Sequence, residues 1–98
     1  MLQEYINDVK SRCGIIPEIT AYDAEISGLL DDFEDVLTSS GVTETVINDE
    51  SHRQQIITAA TLYVKAHLGD DRSDTELYLR LCEKKIFRLT LEGDDGVE

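Results

Sequence analysis

The feature that most constrains the fold is a helical repeat of large apolar side chains in the segment 22–37. These side chains are three or four residues apart, so on an α-helix they fall within about a third of the circumference. Acidic residues occupy most of the other positions. Such a helix must bury its apolar stripe against another element, which predicts a fold of packed helices. The stripe consists of Tyr22, Ile26, Leu29, Leu30, Phe33, Val36 and Leu37.

Three further segments carry apolar residues at helical spacing. The first begins at the N-terminus and is expected to end near Gly14, and the other two cover residues 51–68 and 73–91. Gly41 and Gly69 follow the second and third predicted helices, where glycine commonly caps a helix C-terminus. The apolar positions are Leu2, Tyr5, Ile6 and Val9 in the first helix, and Ile56, Ile57, Ala60, Tyr63, Val64, His67 and Leu68 in the third.

Three pairs of polar residues resemble capping boxes. In a capping box, a side chain at the start of a helix accepts a hydrogen bond from the backbone amide three residues later. The second, third and fourth helices are therefore expected to open at these pairs. The pairs are Thr20 with Asp23, Ser51 with Gln54, and Ser73 with Glu76.

The segment 42–50 lacks helical periodicity and is rich in β-branched and polar residues, which favours an extended loop. A short strand around residues 45–47 is a second interpretation of the same residues. The predicted fold is all-α, a small bundle of about four helices with an extended loop between helices two and three. Ninety-eight residues suffice for one compact domain. We expect a single helical domain over residues 1–92 and an acidic flexible tail over residues 93–98.

The charge balance excludes several classes of function. The chain has 21 acidic and 9 basic side chains, a net charge of −12, which repels nucleic-acid phosphates and anionic membranes. Residues 1–10 are amphipathic without a long apolar run, which predicts neither a signal peptide nor a membrane span. Cys13 and Cys82 could pair with each other, but reduced core thiols, as is typical of cytosolic proteins, are the favoured interpretation.

The catalytic motifs that a chain of this size could carry are missing from the sequence. It contains no CxxC pair, HExxH, GxSxG or glycine-rich phosphate loop. His67 is interpreted as a structural histidine near a helix C-terminus, and His52 as a surface residue in a first helical turn. We therefore expect no enzyme activity, no catalytic residues, no cofactor and no metal.

An acidic cluster in the second helix leaves two alternatives open. Carboxylates three and four residues apart can hold Mg²⁺, as in all-α nucleotide pyrophosphohydrolases, but such a site needs matching acids on a facing helix. Residues 51–68 contain no acid, so a solvated face is the favoured interpretation. The charge alone also suggests an acidic DNA mimic that regulates a DNA-binding protein. The cluster consists of Asp31, Asp32, Glu34 and Asp35.

The last helix carries a basic stripe in an otherwise acidic protein. Arg80, Lys84 and Arg88 recur every four residues, and three large apolar residues project toward the same side. This combination predicts an interface whose complement is the acidic surface of helix two on another copy. The alternative is an intrahelical pair of Glu76 with Arg80, with the apolar residues packed on the first helix. The apolar residues of the predicted interface are Leu77, Phe87 and Leu91.

Three parts of the sequence together resemble a known family. The run Ala-Ala-Thr-Leu-Tyr-Val-Lys-Ala-His-Leu-Gly at residues 59–69 is followed by a last helix with Tyr78, Leu81 and Leu89. An earlier helix over residues 23–37 is closed by Ser-Gly-Val at 40–42. These segments and their order resemble the head-to-tail connector proteins of tailed bacteriophages, also known as head-completion or adaptor proteins.

The resemblance implies a structural protein without catalytic activity. Its copies would form a homo-oligomeric ring, with a dodecamer as one candidate, beneath the portal protein and above the next head-completion or tail protein. The ring would extend the DNA channel at the head-tail junction of the virion, after assembly in the host cytoplasm, and it would contact no membrane. Asp31, Asp32 and Asp35 are candidates for an acidic surface or channel face past which DNA slides without specific binding.

Overall fold

The computed structural model describes residues 2–68 and 74–95, with side chains through residue 91. The described residues form α-helices and short 3₁₀ turns and contain no strand, so the all-α prediction is confirmed. The elements are a 3₁₀ turn at Leu2–Tyr5, α1 at Ile6–Arg12, α2 at Asp23–Ser39, α3 at Glu44–Asn48, a 3₁₀ turn at Glu50–His52, α4 at Arg53–His67 and α5 at Thr75–Asp95.

Helix α4 is the central element and contacts α1, α2, α3 and α5. Small residues allow α5 to approach it closely. The Cys82 thiol of α5 donates to the Ala59 carbonyl at 3.5 Å, and the Thr75 hydroxyl donates to the Ala66 carbonyl at 3.2 Å. Because neighbours surround it, α4 is buried on several sides rather than along one stripe. Its buried residues are Ile56, Ile57, Ala59, Ala60, Thr61, Val64 and Ala66.

Helix α2 packs against α4 through the predicted apolar stripe. The Phe33 ring lies 5.2 Å from the Tyr63 ring, centroid to centroid. Tyr22 is the exception, because it precedes the first turn of α2 and is 44% exposed. The stripe is thus confirmed over its helical part. Ile26, Leu30, Phe33 and Leu37 are fully buried, and Leu29 and Val36 are partly buried against the same core.

Gly41 ends α2 as the sequence predicts. Its φ is +100°, a conformation that favours glycine because it has no Cβ. The Val42 amide donates to the Leu37 carbonyl at 3.0 Å, and the Gly41 amide donates to the Thr38 carbonyl at 3.2 Å. This is the hydrogen-bond pattern of a Schellman cap. The predicted end of the first helix near Gly14, where φ is +80°, is also confirmed.

The extended loop predicted for residues 42–50 is wrong, as is the optional strand within it. The segment contains α3, which begins after Thr43, whose hydroxyl accepts a hydrogen bond from the Val46 amide at 3.3 Å. Val46 and Ile47 are buried in the core. Burial of these two side chains outweighs their weak helix propensity, and five helical residues are too few to produce a visible period.

Two of the predicted capping boxes are also wrong. No side chain caps α2, and the Asp23 carboxylate instead binds the Lys10 ammonium at 2.7 Å. No side chain caps α4 either, and the capping residue of the 3₁₀ turn before it is Asp49, whose carboxylate accepts from the Ser51 amide at 3.0 Å and from the Ser51 hydroxyl at 2.9 Å. The third pair includes Ser73, which lies outside the described residues.

Helix α5 extends further than the sequence suggests. It continues to Asp95, so residues 93–95 of the expected tail are helical. Residues 96–98 lie outside the described part of the chain, and so does Gly69, the predicted cap of the third helix.

Candidate interaction surfaces

One face of α5 is exposed along most of the helix. Phe87 is 65% exposed, and Leu77 and Leu91 are each 48% exposed. The helix is held to α3 and α4 by a narrow buried stripe of Cys82, Ile86 and Leu89, and four other large apolar side chains of the helix are exposed. We call the exposed side the α5 face. It consists of Leu77, Arg80, Leu81, Lys84, Phe87, Arg88 and Leu91.

Two shallow grooves meet at Phe87. One runs along the α5 face and is bordered by the side chains of Arg80, Lys84 and Arg88. The other lies between α5 and the C-terminal end of α2, where Val36 and Ser40 form the opposite wall. The Phe87 ring therefore stands between two depressions, a shape that a partner surface can enclose.

The cations of the α5 face have no partner among the residues whose side chains the structure describes. Arg80, Lys84 and Arg88 form no ion pair or hydrogen bond among the described residues. The alternative pairing of Glu76 with Arg80 is therefore wrong in this structure. Since Leu77, Phe87 and Leu91 are exposed, packing of these residues on the first helix is wrong as well.

Basic residues elsewhere are used inside the fold. The Arg12 guanidinium donates to Thr58 at 2.8 Å and to Gln54 at 2.6 Å, which joins α1 to α4. The Arg53 guanidinium lies 4.9 Å from the centre of the Tyr5 ring. Thus the described cations that remain available to a partner are concentrated on α5, although the protein as a whole is strongly acidic.

The acidic residues of α2 form a separate exposed surface. Asp31, Asp32 and Asp35 are all exposed, and the Asp31 carboxylate accepts a hydrogen bond from the side-chain amide of Gln3 at 2.9 Å. Glu34 is half-buried, and its carboxylate accepts a hydrogen bond from the Leu2 backbone amide at 3.3 Å. The carboxylates of the four acids therefore do not point to one common site. No group of three or more potential metal ligands occurs among the described residues.

The two histidines have structural surroundings. His67 is half-buried, with its ring 4.5 Å from the Tyr63 ring. His52 was expected at the surface, but its side chain is only 14% exposed, with Nδ1 3.4 Å from the Asp49 carboxylate. That expectation is wrong because the 3₁₀ turn before α4 folds the imidazole back against the protein.

Both cysteines are free thiols, in agreement with the sequence-based prediction. Cys82 is buried, and desolvation raises its pKa to about 12. Burial also raises the pKa of the half-buried Cys13 thiol. A high pKa reduces the thiolate fraction, so neither side chain is activated as a nucleophile.

Lys10 has a role that sequence reasoning missed. It is 1% exposed, and its ammonium contacts the Asp23 carboxylate at 2.7 Å and the Pro17 carbonyl at 3.1 Å. These contacts tie α1 to the start of α2 and fix the connecting segment 13–22. Burial of a single charged residue produces no repeating pattern in the sequence. The one available signal is that Lys10 directly follows Val9, a residue of the apolar stripe.

Comparison with known proteins identifies the family. A family model described as "Phage connector protein" matches residues 5–96. No curated protein and no solved structure matches the chain. Within the described ranges, no helix has the length and apolar character needed to cross a membrane.

Proposed function

The chain belongs to the phage connector protein family, and from that premise we propose that it is one subunit of a ring that joins the phage head to the tail. The ring of identical copies docks beneath the portal protein and receives the next head-completion or tail protein. It forms part of the virion at the head-tail junction and acts as a structural component without catalysing a reaction.

The observation that carries this proposal is the α5 face. Exposed apolar side chains lie there together with cations that pair with no other described residue, on a protein whose net charge is −12. Large apolar groups beside charges on one face are typical of a surface that a partner covers. The partner surface must therefore be both acidic and apolar.

The charges also favour a head-to-tail contact between copies. If two α5 faces met across a twofold axis, Arg80, Lys84 and Arg88 would oppose the same cations of the other copy, which is electrostatically unfavourable. A contact between two different surfaces avoids this repulsion. Repetition of such a contact by rotation closes a ring, which is the arrangement that a channel requires.

The acidic face of α2 suits the wall of that channel. Asp31, Asp32 and Asp35 are exposed and lie on successive turns of one helix. A negatively charged wall repels DNA phosphates, so DNA passes without being bound. In this arrangement the DNA is a passing cargo, and the portal and tail proteins are the lasting partners.

Reversal of the cations on the α5 face tests the proposed assembly. The triple variant Arg80→Glu, Lys84→Glu and Arg88→Glu changes the net charge from −12 to −18. We expect it to lose self-assembly in sedimentation experiments and attachment to the portal vertices of tailless heads. Circular dichroism is expected to show wild-type helix content, because all three side chains are exposed.

A charge-conserving control uses the same helix. The double variant Arg80→Lys and Arg88→Lys keeps the cations and the helix propensity, so it should still assemble. Wild-type assembly by the triple Glu variant would show that the α5 face is not the contact surface. A wild-type chain that neither self-associates at millimolar concentration nor binds portal vertices would refute the ring itself.

A further inference from the structure

Resting on the proposed ring, we infer that the α5 face of one copy docks on the segment between α1 and α2 of the next copy, and not on the acidic face of α2. We call this segment the α1–α2 loop and define it as residues 14–22. Its partner is thus a second copy of this chain, and the contact joins two different surfaces.

The distribution of exposed apolar residues carries the inference. Seven large apolar side chains are exposed among the described residues, and all seven belong either to the α5 face or to the α1–α2 loop. The loop contributes Ile16, Ile19 and Tyr22, which are 57%, 45% and 44% exposed. The acidic face of α2 contributes none, so it cannot cover Phe87 and Leu91 with apolar surface.

The loop also carries the complementary charge. Glu18 lies between Ile16 and Ile19, and Glu25 follows in the first turn of α2, both exposed. No lysine or arginine occurs from residue 13 to residue 52. The loop and the start of α2 therefore combine carboxylates with apolar side chains, as the α5 face combines cations with apolar side chains. Complementary charge steers association, and covered apolar area supplies most of the affinity.

The loop is held in a defined conformation before any partner binds. The Ile15 amide donates to the Lys10 carbonyl at 2.8 Å, and the Ile19 amide donates to the Ile16 carbonyl at 3.0 Å. The buried Lys10 ammonium fixes the Pro17 carbonyl and the Asp23 carboxylate from within. Because the loop is already ordered, docking costs little additional conformational entropy.

The two surfaces are placed to meet between copies rather than within one chain. The loop precedes the N-terminal end of α2, whereas the Thr90 side chain lies 4.0 Å from the position of a Cβ on Gly41, just beyond the C-terminal end of α2. Seventeen helical residues separate these ends, which corresponds to about 25 Å. Phe87 and Leu91 on the last turns of α5 therefore need a loop from another copy.

A matched pair of charge reversals separates the loop from the α2 face. Glu18→Lys with Glu25→Lys and Asp32→Lys with Asp35→Lys change the net charge equally, and all four side chains are exposed. We expect the first variant to weaken self-association at least tenfold in sedimentation equilibrium and the second to assemble like the wild type. The opposite ranking would assign the contact to α2 and overturn the inference, while the ring would stand.

A mixing experiment tests that the contact joins unlike surfaces. The loop variant Ile16→Ser with Ile19→Ser and the helix variant Phe87→Ser with Leu91→Ser are each expected to remain monomeric. When they are mixed, the intact loop of one can bind the intact α5 face of the other, and neither heterodimer end can be extended. Mixtures should therefore stop at heterodimers. A contact between two α5 faces would instead let the loop variant, whose α5 face is intact, associate with itself, and it would form no heterodimer with the helix variant.

The outcomes distinguish failure of this inference from failure of the proposed function. If the wild type assembles and the Ser variants of the loop assemble equally well, the loop is not the docking site, although the ring remains. If the wild type assembles neither alone nor on portal vertices, the proposed function itself is wrong, and so is the loop contact that rests on it.

Discussion

Removing either partner of the buried Lys10–Asp23 pair is expected to destabilise the protein by different amounts. Lys10 is 1% exposed, whereas the Asp23 side chain is 39% exposed. Asp23→Ala leaves a buried ammonium whose one remaining acceptor among the described residues is the Pro17 carbonyl. Loss of one partner from a buried ion pair typically costs about 3–5 kcal/mol, because the remaining charge is uncompensated.

The reciprocal variant Lys10→Met should cost less. Methionine fills much of the space of the lysine stem, so little packing is lost. The Asp23 carboxylate keeps partial access to water, and the main cost is one carbonyl without a donor, about 1–3 kcal/mol. The double variant should be close to Lys10→Met alone, since the Asp23 carboxylate has no ammonium left to pair with once the lysine is replaced.

Urea unfolding followed by far-UV circular dichroism measures these differences. The free energy of unfolding is expected to rank as wild type, Lys10→Met, then Asp23→Ala, with the double variant near Lys10→Met. If Lys10→Met were as destabilising as Asp23→Ala, an uncompensated ammonium would not be what makes the loss of Asp23 costly, and the explanation from the buried charge would be refuted.

Four further predictions concern two glycines, the thiols and Asp49. Gly28→Ala should stabilise the protein by about 1 kcal/mol in thermal unfolding, because Gly28 is in the middle of α2 and a Cβ there meets nothing within 4 Å. Gly41→Ala should destabilise it by about 1–2 kcal/mol, because its φ of +100° disfavours a Cβ; equal effects of the two would contradict the assignment of the cap. Iodoacetamide at mildly alkaline pH should modify the half-buried Cys13 before the buried Cys82, whose pKa of about 12 leaves almost no thiolate. Mass spectrometry of peptides measures the order of modification, and modification of Cys82 first would contradict the prediction. Hydrogen bonds lower the pKa of Asp49, so its contribution to stability is present above its ordinary pKa and is lost as the pH falls through the lowered value. Denaturation of Asp49→Ala between neutral and acidic pH should show a smaller loss of stability in acid than the wild type, and an equal loss would exclude this role.

Periodic features were the ones that could be predicted from the sequence. The stripe of α2 repeats over four turns, so the buried positions from Ile26 to Leu37 follow from spacing alone. The exposed apolar and basic side of α5 follows in the same way, because Cys82, Ile86 and Leu89 define its buried side. Gly41 was predictable because glycine at the end of a helical repeat commonly takes a positive φ.

Features that depend on one residue or on one turn could not be predicted in this way. Helix α3 is too short to show a period, and its two buried β-branched residues favour an extended interpretation. Burial of Lys10 depends on a carboxylate that is 13 positions away in the chain and becomes adjacent only after folding. The exposure of apolar residues in the α1–α2 loop could not be predicted, because the sequence of this segment indicates only a connection between two helices.

Electron cryo-microscopy of the head-tail junction of a phage that carries this chain would test the central claim most directly. We predict a ring of identical copies between portal and tail, with Phe87 and Arg88 of each copy in contact with Ile16, Glu18 and Ile19 of the next. A junction in which the α5 helices remain uncovered, or from which this chain is missing, would contradict the account.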